Sequence, residues 1–413
     1  MSSVTSITAC RACGSTGLVS VLDLGQQQLT GVFPASVEDD VLRGPLELLW
    51  CRDCNLVQLG ATYPLDEMYG ENYGYRSGLN GSMVHHLANK TRLLQAAVSL
   101  QEGDTVLDIG SNDGTLLSHY SADGLRRIGI DPTAEKFREF YSPGVEVVAD
   151  FFSADAFRGV SESPARIVTT ISMFYDLEDP VAFAAQVAEC LAVDGVWHLE
   201  QSYMPSMLRT TSYDTICHEH LEYYSLSTVT SILRRAGLRV YDVRFNSVNG
   251  GSFAVSAVHE DSHFQGPTEL LAWFEDQERR MGLDTPSPFR EFESRVFQHR
   301  HDLVDLIRRL RAGGNRVFGL GASTKGNVLL QFCGFGPDDI QAIAEVNPDK
   351  FGRVTPGTGI PIVSESEARA EEPDYFVVLP WHFRQGIVER ERAFLERGGR
   401  LIFPLPEIEI VGD

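Results

Sequence analysis

The sequence of 413 residues contains no long apolar run and has a deficit of positive charge. No uninterrupted apolar stretch approaches the roughly 20 residues that a bilayer-spanning helix requires, so the sequence predicts no membrane partner. The first residues lack the basic and apolar regions of an export signal, which leads us to expect a cytoplasmic protein. Lys and Arg total 35 against 57 Asp and Glu, and a formal net charge of -22 repels a phosphate backbone. Nucleic acid is therefore not an expected partner.

Cysteine is scarce and odd in number, with seven in the chain. Without an export signal, such usage favours thiols or a metal site over a disulfide framework. Four of the seven form two Cys-x-x-Cys pairs, at Cys10 and Cys13 and at Cys51 and Cys54. Both sulfurs of a tight turn can face one ion, and two turns complete the closed tetrahedral site of a structural, non-catalytic zinc. Packed reduced thiols and a redox pair are the alternatives, and the repetition of the motif favours zinc over both.

Strand and helix patterns alternate through the middle of the chain, which predicts an α/β fold with a parallel, doubly wound sheet. Residues 180–191 are typical of a helix, with Asp179 as its N-cap. A second alternating unit begins at residue 316, after a charged helical stretch over residues 267–311. The predicted central strands are residues 105–109, 128–130, 145–148, 166–171 and 195–199.

A glycine-rich turn, Asp-Ile-Gly-Ser-Asn-Asp-Gly over residues 108–114, follows the first of these strands. Glycines let a ligand approach the backbone, and the carboxyl ends of the strands supply a crevice. Acids and an aromatic residue also close the next two strands. The candidate ligand-binding residues are Asp108, Gly110, Asn112, Gly114, Asp131, Asp150 and Phe151.

The acidic character of this turn favours S-adenosylmethionine as the ligand, and hence a methyltransferase. Asp108 can face the amino-acid end of the cationic donor, Asp131 can accept hydrogen bonds from ribose, and Asp150 with Phe151 can hold adenine. The G-x-G-x-x-G spacing of a dinucleotide site is absent, and the acids would repel a nicotinamide dinucleotide. A turn with a purely structural role is the remaining alternative. It is disfavoured because suitable residues follow three successive strands.

A segment after the fifth strand, residues 213–224, concentrates histidines, acids and tyrosines. Its Cys-His-Glu-His run differs from the helical His-Glu-x-x-His motif of zinc proteases, so no catalytic zinc is implied. A buried, hydrogen-bonded histidine is the alternative to a functional one for both His218 and His220. Cys217 could act as a nucleophile, and an inert packed thiol is the favoured interpretation.

Taken together, these motifs resemble the deoxysugar C-methyltransferases, which methylate nucleotide-linked ketohexoses for antibiotic sugars. The shared features are the two cysteine pairs, a Tyr-x-Tyr-x-Ser loop, the glycine-rich turn, His-Glu-His before a tyrosine pair, and Gly-Ala-Ser-Thr-Lys-Gly-Asn at residues 321–327. The resemblance runs from about Cys10 to the C-terminus. It implies an N-terminal zinc-ribbon-like domain, a central class I methyltransferase domain and a C-terminal Rossmann-like domain. The predicted boundaries are 1–70, 71–265 and 313–413, with a helical connector over 266–312.

The resemblance also implies roles for three residues near the acceptor. His220 would be the base that removes the proton α to a ketone, Glu219 would position the base or the sugar, and Tyr75 would approach the sugar from its loop. A ketone acidifies its α-carbon, so the resulting enolate can attack the methyl group of the donor. Donors near the developing enolate oxygen would lower the barrier further.

Further substrate contacts are predicted in the C-terminal half. Lys325 lies near a predicted helix start, where backbone N–H groups and a cation can converge on a diphosphate. Asn327 follows in the same motif, and Arg384 comes after a later strand, where it can meet the nucleotide. A second dinucleotide site or a vestigial fold element is the alternative for this unit.

Two positions depart from the pattern of the family. Cys217 stands where the family often has tyrosine, and Asp176 where it often has histidine. Tyr175, Asp176 or Tyr223 could take over stabilisation of an enolate. We therefore predict a monomeric C-methyltransferase that acts on a nucleotide-linked keto-deoxysugar. An O- or N-methyltransferase of a small metabolite and a non-catalytic, zinc-containing donor sensor are the alternatives.

Overall fold

A computed structural model describes residues 4–69 and 75–412. Within those ranges, none of the helices combines the length and the apolar character that a membrane crossing requires. The described residues form a small N-terminal unit, a central sheet flanked by helices, a helical segment and a C-terminal sheet with its own helices.

The N-terminal unit is built on antiparallel strands. In its longest pair, side chains alternate between the core and the surface, so that Leu46, Leu48 and Trp50 are buried on one face. β2 pairs with β3, β3 with β4, and β1 with β5. The elements are β1 (Thr5–Ser6), β2 (Leu18–Gln28), β3 (Arg43–Cys51), β4 (Val57–Leu59), β5 (Ala61–Thr62) and α1 (Leu65–Tyr69).

The central unit alternates strands with helices, as the sequence predicts. Asp179 caps the helix at residue 180 by accepting a hydrogen bond from the Ala182 amide. The strands are β6 (Thr105–Ile109), β7 (Arg126–Ile130), β8 (Val145–Val148), β9 (Ala165–Ile171), β10 (Leu191–Ser202), β11 (Glu222–Tyr223), β12 (Leu238–Asn246) and β13 (Ser252–His259). The helices are α2 (Gly81–Ala97), α3 (Thr115–Ser118), α4 (Ala154–Arg158), α5 (Pro180–Cys190), α6 (Met204–Thr210) and α7 (Leu226–Arg235).

The central sheet has the order β12-β13-β10-β9-β6-β7-β8. The α/β fold class is confirmed, and the five predicted strands, β6 to β10, pair in parallel. β12 and β13 are not among the predicted strands, and β13 is antiparallel to both of its neighbours. A short connection allows only a hairpin between β12 and β13, and Asn249, Gly250 and Gly251 all adopt positive φ in it. Chain order reverses on either side of β6, which opens a crevice at its carboxyl end.

The helical segment and the C-terminal unit complete the fold. The segment consists of α8 (Thr268–Arg280) and α9 (Ser287–Ala312). The C-terminal sheet, in the order β16-β15-β14-β17-β18-β19, is parallel except for β19. Its strands are β14 (Val317–Leu320), β15 (Ile343–Glu345), β16 (Ile362–Ser364), β17 (Tyr375–Val378), β18 (Arg400–Phe403) and β19 (Glu409–Val411). Its helices are α10 (Thr324–Cys333), α11 (Glu365–Ala370), α12 (Arg384–Arg390) and α13 (Arg392–Leu395).

These units interlock instead of lying in series. One face of α9 buries Phe289, Phe292 and Val296 in a core that also contains strands of the N-terminal and C-terminal units. The strand β11, which lies inside the range predicted for the central domain, pairs with β4 of the N-terminal sheet. As a result, the segment just before β11 lies where the three units meet.

Candidate active site

A cavity of 560 Å³ opens at the carboxyl end of β6. Its wall takes residues from the segments 108–112, 130–133 and 171–178 of the central unit. Residues from the segment 217–220 and the start of α10 close another side. The predicted donor turn and the predicted catalytic segment therefore line one continuous space.

The shape of the glycine-rich turn depends on glycine at two positions. Gly110 has φ +73°, and a Cβ there would lie 3.0 Å from Cγ of Met173, another wall residue. Gly114 also has φ +73°, and a Cβ there would lie 2.6 Å from the Tyr141 ring. Gly114 is not part of the cavity wall. Gly114 therefore lets Tyr141 pack against the turn, and its predicted contact with the donor stays a prediction.

Asp131 and Asn112 brace the turn while both line the wall. One carboxylate oxygen of Asp131 accepts from the Asn112 amide at 2.9 Å, and the other accepts from the Thr133 amide at 2.6 Å. The side chain of Asn112 accepts from the Ser77 amide at 2.9 Å and donates to the Tyr75 carbonyl at 3.1 Å. Asn112 thereby holds the loop that carries Tyr75, whose side chain is half-exposed at the cavity.

Asp108 is a buried acid of the turn, with 3% of its surface exposed. It accepts a hydrogen bond of 2.5 Å from the Thr169 hydroxyl. Burial, opposed by the hydrogen bond from Thr169 and aided by the neighbouring Asp131, raises the pKa of Asp108 to about 7. A cation placed against this buried carboxyl would favour its ionised form and lower its pKa.

Donor affinity is expected to fall in acid because of Asp108. With a pKa of about 7, the side chain is mostly ionised at pH 8 and only about one-tenth ionised at pH 6. The Kd for S-adenosylmethionine should therefore rise by about tenfold between pH 8 and pH 6, as measured by calorimetric titration. An Asp108→Asn protein should bind weakly and without this pH dependence. A wild-type Kd that is constant over this range would contradict the assignment.

Of the two predicted adenine contacts that follow β8, only Phe151 lines the cavity wall. Phe151 lines the cavity wall with 47% of its surface exposed, in keeping with a contact to adenine. Asp150 is exposed and does not line the wall, and its carboxylate accepts from the Phe151 amide. The predicted donor contact of Asp150 is therefore not placed at the cavity. Phe152 lines the wall beside Phe151, and its ring packs at 5.2 Å from Phe183.

The charges of the wall fit a cationic donor at the turn. S-adenosylmethionine carries a sulfonium and an ammonium group and has no phosphate to neutralise. A dinucleotide phosphate at the same place would meet the buried acids of the turn. Within the described residues, the wall has the acids Asp108, Asp131, Asp176, Glu178 and Glu219 and the single cation Lys325.

His220 has a defined tautomer. Its Nδ1 lies 2.8 Å from the carbonyl oxygen of Thr215, which can only accept, so Nδ1 carries the proton. Nε2 is therefore the nitrogen that can take up a proton. Burial, together with the nearby cation Lys325, lowers the pKa of His220 to about 3 and keeps the ring neutral. The Tyr175 ring lies against it, with ring centroids 4.2 Å apart.

Glu219 meets the N-terminal unit beside the cavity. A Cβ at Gly31 would collide with its carboxyl group, so a larger residue there would force that group to move. Burial raises the pKa of Glu219. Among the described residues, its Oε2 has no hydrogen-bond partner. Sequence reasoning missed Gly31, because nothing in the local pattern signals a contact with a residue so distant in the chain.

Cys217 and Asp176, the two departures from the family pattern, also line the wall. Burial raises the pKa of the Cys217 thiol well above its usual value, an effect to which Glu219 adds. A thiol that stays protonated is a poor nucleophile. This environment favours the packed-thiol interpretation of Cys217.

Lys325 reaches the same cavity from the first turn of α10. Its Nζ donates to the Asn249 carbonyl at 3.0 Å, and burial lowers its pKa while Asp214 opposes the shift. Ser323 caps the helix by accepting from the Gly326 amide. The predicted pairing of a cation with a helix start is thus present at the cavity, beside His220.

Three predicted substrate contacts lie elsewhere. Asn327 is buried and donates to the Thr30 carbonyl at 2.8 Å, so it joins the C-terminal unit to the N-terminal unit. Arg384 pairs with Glu409 outside the wall. Tyr223 is buried on β11 and does not line the wall. The first tyrosine of the predicted Tyr-x-Tyr-x-Ser loop, at position 73, falls outside the described residues.

The four predicted metal ligands converge at one point. Their sulfur atoms all lie within 4.8 Å of one another, with Cys10 to Cys54 at 3.5 Å and Cys13 to Cys51 at 3.6 Å. A tetrahedral zinc with bonds of about 2.3 Å requires sulfurs about 3.8 Å apart, so the cluster fits zinc. In each turn the residue after the second cysteine, Gly14 or Asn55, adopts positive φ and donates to the carbonyl of the first cysteine.

Comparison with known proteins gives matches along nearly the whole chain. Residues 10–69 match the family described as "Putative zinc binding domain" and residues 83–243 the family "Methyltransferase domain". Residues 247–406 match the family "C-methyltransferase C-terminal domain". The C-methyltransferase NovU of Streptomyces niveus is 33% identical over 413 residues, which cover 98% of this chain and 97% of that protein.

Solved methyltransferase structures align with less than half of the chain. The mitomycin 7-O-methyltransferase MmcR is 18% identical, with a TM-score of 0.35 over 44% of this chain and 55% of that one. The magnesium protoporphyrin IX methyltransferase ChlM of Synechocystis PCC 6803, with bound SAH, is 14% identical, with a TM-score of 0.34 over 44% of this chain and 88% of that one.

Proposed function

Because this chain belongs to the C-methyltransferase family, we propose that it methylates the α-carbon of a nucleotide-linked keto-deoxysugar. Membership of the family confirms that the chain is an S-adenosylmethionine-dependent methyltransferase with a zinc-binding N-terminal domain. The prediction of an enzyme is therefore confirmed over that of a non-catalytic donor sensor.

The observation that carries the proposal is the single cavity that joins the donor turn to His220. A C-methyltransferase must generate a carbon nucleophile within reach of the methyl group. The wall offers a neutral imidazole whose Nε2 is available as a base. This imidazole and Asp108 line the same cavity. That arrangement suits abstraction of a proton α to a ketone.

In the proposed reaction, Nε2 of His220 takes the α-proton and the electron pair of the C–H bond moves into an enolate. S-adenosylmethionine, when bound, supplies the electrophilic methyl group and leaves as the neutral thioether. Tyr175 lines the wall next to His220 and can donate to the developing oxyanion. The hydrogen bond from Nδ1 to the Thr215 carbonyl fixes the ring while its charge changes.

The start of α10 suits the anionic part of the acceptor. Backbone N–H groups at a helix start and the ammonium of Lys325 together favour a phosphate or diphosphate. A nucleotide-linked sugar would place such a group on one side and a ketone on the other. The proposal therefore assigns the diphosphate to the side of the C-terminal unit and the keto group to the side of His220.

Proton exchange tests this proposal without the methyl donor. The enzyme is incubated in deuterated water with a nucleotide-linked 4-keto-2,6-dideoxyhexose, and the sugar is analysed by NMR. We expect one α-position to exchange, because His220 can return a deuteron to the enolate. The His220→Asn protein serves as the control and should not catalyse exchange. Absence of exchange, together with absence of methylated product across a panel of keto sugars, would contradict the proposal.

A further inference from the structure

Arg11 lies inside the first zinc turn, between Cys10 and Cys13, with only 4% of its side chain exposed. Its guanidinium donates to the Leu59 carbonyl at 2.6 Å and to the Ala61 carbonyl at 3.0 Å. It also donates to the Thr62 hydroxyl at 2.8 Å. The hydrogen bonds of this one arginine thus connect the zinc turn to the stretch of chain that contains β4 and β5.

The same stretch holds the segment that carries His220. The Leu59 amide donates to the Leu221 carbonyl at 2.8 Å, at the residue that follows His220. The next two residues form β11 and pair with β4, with Glu222 opposite Gln58. Gln58 in turn accepts from the Arg11 amide at 2.9 Å. The backbone of the catalytic segment is therefore two hydrogen bonds away from the zinc turn.

Glu222 adds a direct electrostatic link. Its Oε1 lies 3.8 Å from Nε of Arg11, and its side chain is completely buried. Asp176, a wall residue from the segment 171–178, also lies within electrostatic reach of this carboxylate. Arg11 is thus the cation that faces a buried acid between two segments of the wall. Removal of Arg11 would leave the buried Glu222 carboxyl without the cation that faces it, and such a loss is strongly destabilising to the segments around it.

We propose that Arg11 is a positioning residue, which sets the place of His220 through Leu59 and Glu222. This inference rests on the proposed function of His220 as the base. Arg11 does not line the cavity, although the wall residue Glu178 lies within its electrostatic reach, so it acts through the segments that it faces. The zinc turn thereby contributes to catalysis by orienting the base, without zinc entering the chemistry.

The test compares Arg11→Met with Arg235→Met. Arg235 on α7 donates to the Ala12 carbonyl of the same zinc turn, and among the described residues it makes no hydrogen bond to residues 217–222, which makes it a matched control. We expect Arg11→Met to retain about one zinc per chain and an unchanged Kd for S-adenosylmethionine. Its kcat and its rate of α-proton exchange should fall together, on the order of 10²-fold, because a displacement of about 1 Å is sufficient for such a loss. Arg235→Met should keep the wild-type exchange rate.

A double-mutant cycle with Glu222→Gln separates positioning from folding. Glu222→Gln alone should slow exchange, and Arg11→Met/Glu222→Gln should be no slower than Arg11→Met, because both changes break the same link. Glu222→Gln keeps the shape of the side chain. If Arg11→Met does not fold, the exchange rate of Glu222→Gln tests the positioning role in its place.

Distinct outcomes separate this inference from the proposed function. Wild-type exchange in Arg11→Met or Glu222→Gln, with His220→Asn inactive, would overturn the positioning inference alone. Loss of zinc or of donor affinity in parallel with exchange would also overturn it, since that result indicates a folding role. Retention of activity by His220→Asn would instead refute the proposed function.

Discussion

The His220→Asn protein is expected to bind S-adenosylmethionine with unchanged affinity and to lose turnover on the order of 10³-fold. Asparagine can keep a hydrogen bond to the Thr215 carbonyl through its amide, but it has no nitrogen that accepts a proton. The donor turn, which is built from the other end of the cavity, should remain intact. The measurements are steady-state kcat with a nucleotide-linked keto sugar and calorimetric titration of the donor.

His85→Asn is the matched control for this substitution. His85 is exposed on α2, and its Nδ1 also lies close to a backbone carbonyl, that of Gly81. It does not line the cavity wall, so the same chemical change there should leave kcat unaltered. Substantial activity in His220→Asn would favour an O- or N-methyltransferase, because methylation of a hydroxyl or an amine requires no base at an α-carbon.

The donor side of the cavity was predictable because its residues follow strands directly. Asp108 and Asp131 come at the ends of β6 and β7, and the ends of neighbouring parallel strands meet at one edge of the sheet. The alternation of strands and helices is sufficient to bring these two acids together, whereas Asp150, which follows the edge strand β8, lies outside the wall. Both acids accordingly line the cavity in the structure.

The acceptor side was less predictable because it depends on how three units pack. Lys325 reaches the cavity, whereas Asn327, two residues later on α10, is turned to the N-terminal unit. Side chains two residues apart on a helix lie on different faces, and the sequence alone does not reveal which face points to the cavity. Tyr223 lies away from the wall for a similar reason, since β11 joins the sheet of the N-terminal unit.

The Cys51→Ser protein is expected to lose its zinc and much of its stability. A serine hydroxyl is a far weaker ligand for zinc than a thiolate, and a four-cysteine site has no ligand to spare. Structural zinc contributes apparent binding free energies of about 10–16 kcal/mol in small zinc domains. That range equals or exceeds the net stability of about 5–15 kcal/mol of a typical protein. Metal analysis should fall from about one zinc per chain to far below it.

The loss should extend beyond the zinc turns, because the N-terminal strands share a core with α9 and the C-terminal sheet. We therefore expect Cys51→Ser to unfold at a lower temperature and to be cleaved faster by protease, with sites in the C-terminal unit among those exposed. Cys190→Ser is the matched control, since Cys190 is equally buried but lies on α5, away from the metal ligands. A Cys51→Ser protein that keeps its zinc and its wild-type unfolding temperature would show that the four sulfurs do not form the metal site.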